Sequence, residues 1–271
     1  MFALQRNEYI VKHMRNTKLY QRGFSHVLVL LLMIVVLGVG FVGWYVMNKS
    51  SDDDAKKSDN NSQSTETTSE ENIQLQNFGI ESLDDVDITQ YAVREYANHG
   101  LKGFYIFGDS LSGGRTNPNF EFSSLKEGTK LVSAIDGIVA HINQQPDSSD
   151  YEVFIQPKEG SAWTVGYDHV VSLNVKKGDQ IKVGDVIGEP GKQNNGLLRF
   201  ELQINKDENG ATTHYCPSTL LAANVKDKTL ADLLAMQNSW ETTTGLELYN
   251  VDAQDPIGCT KPSMTSEEAE S

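Results

Sequence analysis

Short strands separated by glycines between residues 167 and 201 constrain the fold more than any other feature of this sequence. Three glycines between residues 178 and 188 fall where a chain of short strands must turn. Ile181, Val183 and Ile187 have the spacing of strand residues that bury one face. This part of the chain therefore predicts closely connected β-strands.

Similar strand signals continue through most of the second half of the chain. The Asp136-Gly137 pair lies between two runs of alternating apolar residues and predicts a hairpin. Strands at this spacing favour a mainly β fold, a compact β-sandwich or barrel-sandwich hybrid. Leucines along one face predict one C-terminal helix at 229–240. The runs predicted as strands are 130–134, 138–142, 151–156, 163–169, 180–187 and 197–204.

The uncharged apolar run at 27–47 predicts a transmembrane helix. At about 1.5 Å per residue it spans roughly the 30 Å hydrocarbon core of a bilayer. Basic residues outnumber Glu8, the single acid of the first 47 positions. The positive-inside rule then predicts a single-pass protein of the cell membrane, with a cytoplasmic basic arm at 1–26 and an extracytoplasmic C-terminal domain. A cleaved signal peptide or a pilin-like leader cut after Gly23 are alternatives.

Composition divides the exported part of the chain. The polar segment 48–72 predicts a disordered linker, because it cannot bury enough apolar surface to offset the ordering of its backbone. An N-terminal extension at 73–116, a β domain at 117–222, a C-terminal helix and extension at 223–260, and a disordered tail at 261–271 are predicted to follow. The net charge of −14 argues against binding to nucleic acid.

Cys216 and Cys259 are the two cysteines of the chain, and both lie in the predicted exported part. An oxidising compartment permits a disulfide between them. Two free thiols are the alternative, and the sequence leaves both open.

Four segments within 117–222 share their order with a known family. They are the strand and turn at 128–139, the Tyr-Asp-His segment at 167–169, the glycine-rich run at 178–191 and the proline-containing exit at 215–217. Together they resemble the lysostaphin-type (LytM-like) peptidoglycan endopeptidases, which are zinc enzymes with the duplicated hybrid motif fold. Biotinyl and lipoyl carrier domains use similar hairpins, but the hairpin tip here lacks the lysine that those domains modify.

Most of the zinc site that the resemblance implies is replaced in this chain. The family's metal ligands fall on Asn117, Glu121 and Arg199, and the residues beside the reacting water fall on His169 and Leu197. A guanidinium has no lone pair to donate and stays charged, so we expect a degenerate site with no zinc, no other cofactor and no catalytic residue. Glu121 and Arg199 would then face each other, and we predict an ion pair within about 4 Å.

The sequence therefore predicts a non-catalytic, endopeptidase-like domain that is held outside the membrane. Its expected partners are peptidoglycan wall peptide or a cell-wall hydrolase, a function that rests on analogy of fold. An active zinc metalloendopeptidase whose metal has moved to His99, Asp109 and His169 is the first alternative. A pilin-like structural subunit is the second.

Overall fold

The computed structural model describes residues 72–89, 102–146 and 148–271. The predicted basic arm at 1–26, the transmembrane helix at 27–47 and nearly all of the linker at 48–72 lie outside these residues. A search of the described part of the chain finds no helix of the length and apolarity that a bilayer crossing requires.

The described residues are mainly β, as the sequence predicts. They contain two helices, α1 at Ala223–Thr244 and α2 at Ser266–Glu270, and single 3₁₀ turns. The strands are β1 Phe104–Tyr105, β2 Phe120–Leu125, β3 Leu131–Val132, β4 Gly137–Gln144, β5 Tyr151–Gln156, β6 Trp163–Val171, β7 Gln180–Ile181, β8 Val186–Lys192, β9 Leu198–Glu208, β10 Ala211–Tyr215 and β11 Ser263–Thr265.

One antiparallel sheet contains all eleven of these strands, in the order β1-β2-β9-β8-β6-β5-β4-β7. Strand β10 pairs with β9 and β11, β3 pairs with β8, and β6 also pairs directly with β9. The long strand β9 alternates between buried and half-buried residues over most of its length, which is the pattern of a strand with one face on the core. Strands β2, β9 and β6 therefore lie side by side in the sheet.

Aromatic side chains fill the core beneath these three strands. Phe120 and Phe122 of β2, Phe200 of β9 and Tyr167 of β6 are all fully buried. The rings of Phe122 and Phe200 stack with centroids 6.1 Å apart, and each such buried side chain stabilises the fold by about 1.5–3 kcal/mol. The hydroxyl of Tyr167 accepts a 2.7 Å hydrogen bond from the backbone N–H of Ala134. The core thus fixes β6 and β9 against each other and against the segment that precedes β4.

Two local predictions near β7 are wrong. The chain does turn at Asp136-Gly137, but β4 pairs with β5 and β7, and β3 pairs with β8, so no hairpin joins β3 to β4. The carboxylate of Asp136 instead accepts the backbone N–H of Val183, which ties the turn to the loop after β7. Val183 is 39% exposed, because β7 ends at Ile181 and the alternation of strand residues ends with it.

The C-terminal segment is ordered, which corrects the predicted disordered tail at 261–271. Residues 263–265 form β11 against β10, and a capping box between Thr265 and Glu268 starts α2. Cys216 and Cys259, for which the sequence leaves a disulfide and two free thiols open, form a disulfide. It joins the end of β10 to the segment that leads into β11, so the short tail is held at both ends.

Helix α1 begins six residues before its predicted start and ends at Gly245, which has the left-handed conformation typical of a helix C-cap. Its buried residues include Leu233 and Trp240. The ring of Trp240 packs edge-on against Phe104 of β1, with centroids 6.3 Å apart. The extensions at 73–116 and 223–260 thus share the core of the β domain instead of flanking it.

Candidate functional site

Three neighbouring strands place three carboxylates in one row across the sheet. In the strand register Glu121 of β2 lies opposite Glu201 of β9, and Glu201 lies opposite Asp168 of β6. Residues paired in this way project from the same face. The sheet itself therefore brings together acids that are far apart in the sequence.

His169 joins this row through an unusual backbone conformation. Its φ is +63°, a left-handed value that is uncommon for any residue other than glycine. A regular strand would turn His169 to the face opposite Asp168. The positive φ instead lets both residues reach Glu201, with His169 Nε2 lying 3.3 Å from Glu201 Oε1 and 3.6 Å from Asp168 Oδ2.

The second ring nitrogen of His169 also lies within hydrogen-bond distance of a carboxylate. Its Nδ1 lies 2.9 Å from Asp150 Oδ2, and the whole residue is only 5% exposed. Gly191 of β8 passes close by, and a Cβ at that position would lie 2.9 Å from the His169 carbonyl oxygen. The imidazole is therefore enclosed by carboxylates on one side and by backbone on the other.

The carboxylates also accept hydrogen bonds from neutral donors. Asn119 Nδ2 donates to Glu201 Oε2 over 2.7 Å. Ser123 Oγ donates to Glu121 Oε1 over 2.5 Å, and the hydroxyl of Ser148 donates to Asp150. We call the set His169, Asp150, Asp168, Glu201 and Glu121 the histidine–carboxylate cluster.

Charge balance within the cluster favours a protonated imidazole. Burial lowers the pKa of His169, but the hydrogen bond to Glu201 and the charge of Asp168 outweigh it, and the pKa is raised. Burial raises the pKa of Glu201, but the hydrogen bond from His169 and its charge hold it below the ordinary value. Burial, followed by the charge of Glu201, raises the pKa of Glu121. These directions favour an ion pair of His169 with Glu201, and burial disfavours ionisation of Glu121.

The family's zinc positions do not assemble a metal site in this chain. The side chain of Asn117 is buried, where its amide donates to the carbonyl of Ile106 and its oxygen accepts the backbone N–H of Asn119. Leu197 packs in the core. Arg199 brings a cation, not a lone pair, so only Glu121 among the three ligand positions offers a suitable donor. The residues present at these positions do not fit zinc.

Arg199 lies two residues before Glu201 and so shares its face of β9. Its charge lowers the pKa values of Glu121, Asp150 and Glu201. The ion pairs of the described residues do not include the predicted pair of Glu121 with Arg199. In the register Glu201 lies directly opposite Glu121, whereas Arg199 is a diagonal neighbour, and the carboxylate of Glu121 accepts a hydrogen bond from Ser123 instead.

A different trio in the cluster has the ligand types of a metal site. Donor atoms of Asp168, His169 and Glu201 all lie within 4.8 Å of one another. The relocated site suggested by sequence does not form around Asp109, whose carboxylate binds Lys102 Nζ over 2.8 Å, and His99 lies outside the described residues. His169, which the resemblance places beside the reacting water, lies in this trio, whereas Asp168, Asp150 and Glu201 were not predicted as site residues. The period of two from Arg199 was the signal that pointed to Glu201.

A polar cavity of about 490 Å³ opens beside the cluster. Arg199 and Asp150 form its inner wall, next to His169. The remaining lining residues come from the loop before β5 and from the β8–β9 turn: Ser148, Lys192, Gln193, Asn194 and Asn195.

The fold and the cluster define a β domain with a histidine held by carboxylates, and comparison with known proteins gives its class. Residues 122–211 match the model of peptidase family M23. The chain therefore carries a domain of the peptidase M23, lysostaphin-type class, as the resemblance implies.

The chain spans about an eighth of the length of DipM and less than half of the length of lysostaphin. The cell division protein DipM of Caulobacter vibrioides is 31% identical over 80 residues, which are 28% of this chain and 13% of DipM. Lysostaphin from Staphylococcus simulans is 18% identical with a TM-score of 0.32, covering 40% of this chain and 43% of lysostaphin. A structure of the SpoIIQ–SpoIIIAH pore forming complex matches at 17% identity with a TM-score of 0.37, covering 58% of this chain and 96% of the matched chain.

Proposed function

We propose that this chain is a membrane-anchored, extracytoplasmic protein of the cell envelope whose M23 domain binds and does not cut. Its ligand would be peptidoglycan wall peptide or a partner cell-wall hydrolase. The observation that carries this proposal is the replacement of two of the three family ligand positions by Asn117 and Arg199. The local match to a cell division protein supports a role at the envelope.

The chemistry of the cluster supports binding over hydrolysis. A hydrolytic zinc needs about three protein donors with free lone pairs and one open position for water. The side chain of Asn117 is hydrogen-bonded to backbone groups. Arg199 would repel a divalent ion by several kcal/mol at close range. His169, the position beside the reacting water, has both ring nitrogens within hydrogen-bond distance of carboxylates, from Asp150 and Glu201, and is therefore poorly placed to take a proton from water as a general base.

The anchoring part of the proposal comes from sequence alone. The run at 27–47 is apolar and uncharged, the arm at 1–26 is basic, and the polar segment at 48–72 suits a tether. This arrangement would keep the M23 domain within reach of the wall on the outer side of the membrane.

An active endopeptidase with a relocated zinc is the second candidate. The trio Asp168, His169 and Glu201 favours it, because imidazole and carboxylate are donors that zinc accepts. This candidate requires the ring nitrogen of His169 that binds the metal to be unprotonated, so metal binding would release a proton to solvent.

Zinc analysis together with a wall assay separates the two candidates. Residues 68–271 form one compact unit and are suitable for purification without the predicted membrane segment. We expect substoichiometric zinc, co-sedimentation with insoluble peptidoglycan, and no release of soluble wall fragments.

The matched variant is His169→Ala. Stoichiometric zinc with wall digestion that disappears in His169→Ala would establish the second candidate and reject the first. If the chain neither binds nor digests the wall, binding to wall peptide is rejected, and a protein partner remains as the ligand class. Pull-down of purified wall hydrolases by the native chain and by His169→Ala then tests for that partner.

A further inference from the structure

The cavity beside the histidine–carboxylate cluster is lined by a cation, Arg199, that has no ion-pair partner among the described residues. Arg199 is half-buried and lines the cavity. Its guanidinium has five N–H donors, and no ion pair within 4.0 Å involves it in the part of the chain that the structure describes. A cation in this position has donors available for a ligand.

The acids nearest to Arg199 are already bonded to other groups. Asp150 accepts from Ser148 and lies 2.9 Å from His169. Glu201 accepts from Asn119 and lies 3.3 Å from His169, and Glu121 accepts from Ser123. The acids of the cluster are thus directed towards His169 and their own donors, so they compete only in part for the guanidinium.

Lys192 supplies a second cation on the same cavity. Its Nζ lies 3.1 Å from Glu127, in a pair whose side chains are 58% and 79% exposed. An exposed pair of this kind contributes about 0–1 kcal/mol, so a ligand can replace Glu127 at low cost. Asn194, which is exposed at the rim, adds an amide that can donate to an oxygen.

We infer that Arg199 makes this cavity a receptor for the free carboxylate of a peptide, with Lys192 as a secondary contact. The inference rests on the proposed binding function and names the chemical group that the site recognises. A planar guanidinium matches a carboxylate with two parallel hydrogen bonds. A position that carries a metal ligand in the family then selects an anionic peptide end.

The charge of the surroundings favours a ligand with a single carboxylate over a polyanion. The chain has a net charge of −14, and Asp150 borders the cavity beside Arg199. Two cations in such a setting suit a single carboxylate, whereas a phosphate-rich chain would meet the acids of the cluster.

A matched pair of peptides tests the inference on the full-length chain. The probes are N-acetyl-Lys-D-Ala-D-Ala, whose only carboxylate is its C-terminus, and the same peptide as its C-terminal amide. Titration calorimetry or fluorescence anisotropy is expected to give about tenfold tighter binding of the acid than of the amide, since a charge-assisted hydrogen bond is worth more than a neutral one. Arg199→Gln is expected to remove that preference, and Arg199→Lys to retain part of it.

Lys177→Gln is the control, because it removes an equal charge from an exposed position away from the cavity. It should leave the preference for the acid unchanged. Circular dichroism and thermal unfolding check that Arg199→Gln is folded, and Lys192→Gln, at an exposed position, gives an independent reading with a smaller expected loss.

Equal binding of acid and amide, binding of neither peptide, or a preference that survives Arg199→Gln would each overturn the inference. Sedimentation with insoluble wall, run in parallel, distinguishes its failure from that of the proposed function. If the chain binds the wall but shows no preference for the free carboxylate, the receptor for a peptide end is rejected and wall binding stands.

Discussion

His169 keeps the residue type of the family, but its neighbours change what the imidazole can do. Both ring nitrogens lie within hydrogen-bond distance of carboxylates, from Asp150 and Glu201. Those contacts raise its pKa in spite of burial. A protonated imidazole has no lone pair for a metal or for a substrate proton. The contact of His169 with Glu201 also links strands β6 and β9.

This arrangement predicts a stability that depends on pH. Because the pKa of His169 is raised in the folded state, its stabilising contribution is complete below the ordinary histidine pKa of about 6.5 and is lost as the pH rises through the raised value. Asp150→Asn keeps a hydrogen-bond acceptor but removes the charge. We expect the pKa of His169 to fall, measured by NMR of the ring protons, and the free energy of unfolding at pH 6 to fall by about 1 kcal/mol.

Asp227→Asn serves as the control for this change, since Asp227 is exposed on α1. It should alter neither the titration of His169 nor the stability at pH 6. An unchanged His169 titration in Asp150→Asn would contradict the assignment of Asp150 as its partner.

Single residues of the site could be predicted from sequence only where they lie in a recognisable segment. Arg199 and His169 were found because their neighbours fix their positions in the family pattern. Asp150 was missed because it lies in a loop whose path depends on the close approach of Gly191 to β6. The φ of +63° at His169 also depends on tertiary contacts, and no residue pattern signals it.

At the scale of elements, short strands gain their stability from the parts of the chain that fix their ends. Strand β11 has only three residues, which is too short to be stable by itself. The disulfide before it and the capping box after it hold it on β10. This explains why polar composition alone wrongly indicated disorder at 261–271.

Removing the disulfide is expected to cost about 2–4 kcal/mol, because it closes a loop with a sequence separation of 43 residues. Thermal unfolding of the Cys216→Ala, Cys259→Ala double variant measures this loss, and hydrogen exchange of β11 should show the largest local change. Dithiothreitol should lower the melting temperature of the native chain but not that of the double variant. Equal melting temperatures for the native chain and the double variant would show that the bond contributes no stability.

The prediction of the strands succeeded where the alternation of apolar residues is long, as in β5, β6 and β9. The pairing of the strands was harder to predict. Asp136-Gly137 has the sequence of a hairpin turn, but the carboxylate of Asp136 binds the loop after β7. Local turn chemistry fixes the bend, and the partner of each strand is fixed by contacts that are distant in sequence.

At the scale of the whole molecule, the poor fit of Asn117 and Arg199 to zinc at the family's ligand positions predicts indifference to chelation. Treatment with EDTA is expected to leave the melting temperature of residues 68–271 unchanged. A resident zinc present at a hundred times its dissociation constant would contribute about 2.7 kcal/mol, or roughly 5–10 °C in a domain of this size. A shift of that size, absent in His169→Ala, would locate a metal at Asp168, His169 and Glu201.

The proposed topology predicts an intact N-terminus in the membrane fraction. Mass spectrometry should find the sequence before Gly23 still attached, and external protease should degrade the M23 domain while the basic arm is protected. Cleavage after Gly23 would instead support the pilin-like alternative. A chain with the 27–47 segment deleted provides the control, because it should leave the membrane fraction.

The shared core has a practical consequence for anyone who clones this domain. A gene fragment trimmed to the family match at 122–211 would omit Phe104, Phe120, Trp240 and both cysteines of the disulfide. The aromatic surfaces left bare would favour aggregation. Expression plasmids should therefore encode everything from Thr68 to Ser271. Any affinity tag belongs at the N-terminal end, where it cannot disturb the pairing of β11 with β10.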